Sequence, residues 1–102
     1  MNAFHVTLSE NLNSILKNGL EPKIGKRSKY VGESEPAIYL FPNYELLEDA
    51  IAGWLGLEFS MEEKLSILKV NIQNYERSVV DWEIIVKETI PPDMIEVLYY
   101  NI

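Results

Sequence analysis

The sequence predicts one α+β domain over residues 1–102, with its helices in the first half and most of its strands in the second. Three observations carry that expectation. Two early stretches repeat their apolar residues with the helical period of about 3.6 residues and are bounded by capping residues and glycines. Short apolar runs rich in Val, Ile and Tyr recur from residue 37 onward, as buried strands do. Prolines separate the runs: Pro42 follows one, and Pro91-Pro92 precedes another, where neither a helix nor a central ladder can continue. The order βα, loop, βα and then β-β-β belongs to the α+β class.

In chain order, a first strand is expected over residues 3–6. Thr7-Leu8-Ser9-Glu10 has the form of a capping box, with Thr7 at the N-cap and Glu10 reaching back to its amide. Leu8, Leu12, Ile15 and Leu16 then mark one helical face. Gly19 stops this helix in a left-handed conformation, and Leu20 packs back onto the last turn. Residues 21–36, with two prolines, two glycines and mixed charge, make a loop long enough to be functional or mobile.

Ala37–Phe41 is a short buried strand, broken by Pro42. Asn43 caps a second helix over residues 44–55, which buries Leu46, Leu47, Ala50, Ile51, Trp54 and Leu55 and ends at Gly56. Residues 57–63 form a linker. Leu65–Ile72 reads as a strand covered on both sides. Val79–Lys87 and Ile95–Tyr100 are further strands, joined by the rigid connector Thr89–Asp93.

Composition excludes several function classes. Apolar residues make up 47% and charged residues 25%, which argues against disorder. No apolar run of about 18 residues is present, so no membrane span is expected. The start lacks a basic region followed by an apolar stretch, and cysteine is absent, which removes disulfides and thiolate metal sites and fits a cytoplasmic protein. A net charge of −7 opposes non-specific nucleic-acid binding, which needs cations to neutralise phosphates. Lys23, Lys26, Arg27 and Lys29 are four of the nine cationic side chains. They are either a phosphate contact or the solvated face of a loop.

Three strings each set one chemically useful side chain in an apolar run: Phe4-His5-Val6-Thr7, Ala37-Ile38-Tyr39-Leu40-Phe41 and Trp82-Glu83-Ile84-Ile85-Val86. A polar group buried without a partner costs about 1–3 kcal/mol, so His5, Tyr39 and Glu83 each need a partner or a ligand. His5, the sole histidine, reads as a structural residue or as a ligand-binding group beside a helix start. Metal binding is not expected, because no second histidine or thiolate accompanies it. Tyr39 reads as a core aromatic or as a ring that stacks on a flat heterocycle. Glu83 reads as a solvated edge-strand residue or as a functional carboxylate.

With these strings in this order, the chain resembles the ADP-ribosyltransferase family, in its small histidine–tyrosine–glutamate branch. Phe4-His5-Val6-Thr7 is similar to the family's first-strand pattern, and Ile15-Leu16-Lys17-Asn18-Gly19-Leu20-Glu21-Pro22 to the helix that follows it. Ala37-Ile38-Tyr39 resembles the string carrying the family's tyrosine, and Trp82–Val86 its glutamate strand. The ending through Ile90-Pro91-Pro92 to Ile95 is similar to that of DNA-targeting members. Val6 and Ala37 stand where the family carries glycine, and the second stacking tyrosine of poly(ADP-ribose) polymerases falls on Ala50, leaving Tyr30, Tyr44 and Trp54 as candidates for that wall.

The resemblance implies a split β-sheet core with two helices in the N-terminal half, and NAD as substrate. Glu83 would bind the nicotinamide-ribose hydroxyl and stabilise the oxocarbenium-like charge, and Tyr39 would stack on nicotinamide. His5 would bind the adenosine ribose, the backbone near Val6 and Thr7 would hold the carboxamide, and Arg27 or Lys26 would sit near the pyrophosphate. It implies a mono-ADP-ribosyltransferase acting on a protein or small-molecule acceptor, with nucleic acid a weaker acceptor. A toxin or anti-defence effector from a bacterium or phage fits such a chain. The alternatives are a binding or inhibitor module that kept the fold without turnover and, ranked last on charge, an RNA 2′-phosphotransferase.

Overall fold

The computed structural model describes residues 1–22, 36–53, 63–80 and 83–101. Within them, β1 (Asn2–Leu8), β3 (Leu65–Asn71) and β6 (Ile95–Tyr99) form one antiparallel sheet in the order β1-β3-β6. The strands β2 (Ile38–Leu40), β5 (Glu83–Val86) and β4 (Ser78–Val80) form a second in the order β2-β5-β4. Two helices, α1 (Leu12–Asn18) and α2 (Tyr44–Ala52), complete an α+β fold.

Alternation along the strands sorts the core into two layers. Ala3 of β1, Leu68 and Val70 of β3, Ile38 and Leu40 of β2 and Ile84 and Val86 of β5 meet in the main cluster, closed by Leu12 and Ile15 of α1. The other face of the first sheet carries Phe4, Val6 and Ile67, which pack with Phe41 beneath Leu47 and Ala50 of α2. The central strand β3 is therefore covered on both sides, as its near-continuous apolar run requires. Asn43 caps α2 as expected, its Oδ1 accepting from the Leu46 amide at 2.9 Å.

Several local expectations are corrected. Thr7 does not cap a helix: β1 runs on through Leu8, because Thr7 and Leu8 pair with Ser66 and Leu65. A short 3-10 turn, Ser9–Asn11, follows, and α1 starts only at Leu12. Leu8 is thus a strand residue, and Leu16 is 44% exposed rather than part of the buried stripe. The helix α2 ends at Ala52 with Gly53 as its cap, before the expected stop at Gly56; Trp54, Leu55 and the linker 57–63 lie almost wholly outside the described residues. Val79–Lys87 is not one strand. The register Val80↔Glu83, Val79↔Ile84 and Ser78↔Ile85 folds it into an antiparallel pair, β4 and β5, so Glu83 opens a strand instead of occupying its centre.

Gly19 is fixed by a close approach. Its φ of 88° lies where side chains are strained, and a Cβ there would overlap the Ile90 carbonyl oxygen. The contact follows from the adjoining bridge, in which Leu20 and Ile90 exchange backbone hydrogen bonds of 2.8 and 2.9 Å. Gly19→Ala is predicted to cost at least about 1–3 kcal/mol in denaturant unfolding. Gly53→Ala, which meets only the Asp49 carbonyl oxygen at 3.3 Å, should cost clearly less. Equal costs would contradict this packing.

Candidate active site at the seam between the sheets

The two sheets touch through an isolated bridge. Phe4 of β1 donates to the Phe41 carbonyl at 2.9 Å, and Phe41, just beyond β2, donates to the Phe4 carbonyl at 2.7 Å. Were this ladder to continue, the next rung would pair Val6 with Tyr39. Instead the Tyr39 carbonyl oxygen lies 2.8 Å from Nδ1 of His5. A carbonyl can only accept, so Nδ1 carries the proton and donates, and Nε2 of the neutral ring is left as an acceptor. The imidazole takes the place of a backbone rung, and the sheet splits there.

The split leaves a backbone pair beyond the Phe4–Phe41 bridge. In an antiparallel ladder successive residues turn their N–H and C=O to opposite sides. Phe4 turns its pair toward Phe41, so Val6, two residues on, turns its own away from β3 and toward β2. The Val6 side chain packs in the cluster beneath α2, on the opposite side of β1 from His5 and Thr7. Thr7 is buried, and its Oγ1 donates to the Leu8 carbonyl at 3.5 Å.

Glu83 reaches the same neighbourhood from the next strand. Tyr39 pairs with Ile85 and Leu40 with Ile84, so one further step of this register sets Glu83 opposite Phe41. Tyr39, Phe41, Glu83 and Ile85 consequently share one face of the second sheet, and the core residues Ile38, Leu40, Ile84 and Val86 share the other. Glu83 is 7% exposed and engaged by its surroundings, and Tyr39 is half-buried. The strands carrying His5, Tyr39 and Glu83 therefore lie side by side, in the order β1, β2, β5. Arg27 and Lys26, the expected pyrophosphate contacts, and Tyr30 and Trp54 lie outside the described residues. Tyr44 is committed elsewhere: its ring meets Phe4 edge-on at 6.0 Å and Tyr99 at 5.8 Å.

Among the described residues no group of three His, Cys, Asp or Glu side chains gathers in a way that could hold a metal, and no helix is long and apolar enough to cross a membrane. Compared with family models, with curated proteins and with solved structures, the chain matches none. Sequence reasoning missed two polar features of β1 and its exit. One is the Phe4–Phe41 bridge, whose residues read simply as apolar. The other is the Ser9–Ser66 hydroxyl contact of 2.7 Å, which ties the 3-10 turn to buried Ser66 of β3.

Burial lowers the His5 pKa below its ordinary 6.5, and the bond to the Tyr39 carbonyl opposes that shift without cancelling it. The folded state therefore holds fewer protons than the unfolded chain in the window just below pH 6.5. The stabilisation is fully present above the unfolded value and is lost as pH falls through the lowered folded one. Urea midpoints measured from about pH 7.5 to about pH 5 should fall more steeply for the wild type than for His5→Gln. Parallel slopes would contradict a desolvated, neutral imidazole at the seam.

Proposed function

We propose that this chain is an NAD-dependent mono-ADP-ribosyltransferase, with a split-sheet core of the ADP-ribosyltransferase kind and its substrate held at the seam. The observation that carries this reading is the termination of the β1–β2 ladder at His5. The Val6 N–H and C=O are turned toward β2 beyond the last bridge, where the strands of His5, Tyr39 and Glu83 are neighbours. An amide N–H and C=O side by side suit a carboxamide, which presents one acceptor and two donors.

In this reading nicotinamide hydrogen-bonds the Val6 backbone, with Thr7 beside it, and lies against the Tyr39 ring. The acceptor nitrogen Nε2 of His5 takes a hydrogen bond from an adenosine-ribose hydroxyl, and Arg27 meets the pyrophosphate. Glu83 binds the nicotinamide-ribose hydroxyl. As the C–N bond breaks, nicotinamide leaves as a neutral molecule with the bonding electron pair, and positive charge develops on the ribose. A fixed carboxylate stabilises that charge more than it stabilises the ground state. The cationic leaving group needs no protonation, so one carboxylate suffices where glycosidases use two. A protein or small-molecule nucleophile then bonds to the ribose carbon and loses its proton.

Purified protein incubated with labelled NAD and lysate should release nicotinamide and label an acceptor. Glu83→Gln should lower both rates by about 100-fold or more, the usual cost of removing one preorganised electrostatic group, with thermal unfolding retained. Equal turnover by the variant would remove the mechanism. No nicotinamide release at any protein concentration would favour a binding module of the same fold.

A further inference from the structure

Away from the seam, two adjacent tyrosines stand in water at the end of the outer strand β6. Tyr99 is 48% and Tyr100 62% exposed. Tyr99 leans toward α2, where it meets Tyr44. Tyr100 instead walls a cavity of about 470 Å³ bounded by Ser9, Glu10, Glu63, Lys64 and Asn101, within the ~300–1,000 Å³ typical of ligand sites. The chain bends at Tyr100, and Asn101 takes a left-handed φ of 55°, a conformation asparagine tolerates better than most residues.

We propose that this cavity docks a basic protein segment, an arginine side chain stacking on Tyr100 while its guanidinium meets the Glu10 carboxylate. Charge complementarity names the occupant. Two carboxylates, Glu10 and Glu63, line the cavity against one ammonium, Lys64, in a chain with 16 acidic and 9 cationic side chains, and such a field draws a cationic partner toward it and repels an acidic one. The aromatic wall selects arginine over lysine, because a planar, weakly hydrated guanidinium stacks on a ring while still donating to a carboxylate. Tyr and Arg are also the side chains that concentrate binding energy in protein interfaces. Strand addition is the less suitable mode. The pairings Ile67↔Tyr99 and Leu68↔Val97 leave Leu98 as a bulge in β6, and bulges discourage edge-to-edge pairing. The partner is read by side chains. This inference is independent of NAD chemistry.

The test is a titration of isotope-labelled protein with a capped heptapeptide carrying three arginines, followed by amide NMR shifts. Shifts should centre on Ser9, Glu10, Lys64, Tyr100 and Asn101. Tyr100→Ser and Glu10→Gln should each weaken binding by about threefold or more, and Tyr100→Phe, which keeps the ring, should bind like the wild type. The matching lysine peptide and spermidine should bind more weakly. Unchanged affinity in Tyr100→Ser, loss in Tyr100→Phe, equal binding of spermidine, or shifts centred on Glu45 and Glu48 of α2 would each overturn the proposal.

Discussion

The structure depends on the pair of backbone hydrogen bonds between Phe4 and Phe41, which joins two small sheets that otherwise pair only within themselves. Two such bonds contribute only about 1–3 kcal/mol together. Their geometric effect is larger, because they fix where β1 and β2 approach and from which residue they diverge. Packing on both sides holds them in place. The main cluster draws on both sheets, and the second cluster seats Phe4 and Phe41 together beneath α2. Neither sheet could slide along the other without exposing one of these layers.

The divergence shapes the seam. A continuous ladder would consume the polar groups of Val6 and Tyr39 and present a closed surface. A histidine ring that takes the Tyr39 carbonyl ends the ladder and satisfies the freed acceptor at once. The Val6 N–H and C=O are turned toward β2 just beyond that point. Burial lowers the imidazole's pKa and so favours its neutral form. Among the described residues no fully buried side-chain nitrogen or oxygen lacks a partner.

Much of this was legible in the residues, and the failures share a cause. Asn43 as a helix cap, Gly19 as a stop and Leu65–Ile72 as a strand covered on both sides follow from local chemistry, and each is observed, the strand ending one residue earlier at Asn71. Thr7-Leu8-Ser9-Glu10 had an equally good local signature and does not cap a helix, because pairing with Ser66 and Leu65 extends β1 over it. The run Val79–Lys87 reads as one strand because its apolar residues are nearly continuous. The reversal between Val80 and Glu83 becomes visible only through their pairing. His5, Tyr39 and Glu83 stood out as polar groups in apolar strings. That their strands are neighbours is a matter of long-range register, which no local pattern encodes.

Amide hydrogen exchange at Phe4 and Phe41 tests the join between the two sheets most directly. If the bridge is the constraint that positions both sheets, these two amides exchange only through global unfolding, as slowly as the slowest amides of β3. Exchange of Phe4 and Phe41 at the rate of exposed chain ends, with β3 still protected, would show that the sheets are not joined there. The seam, and the candidate site at it, would then not exist.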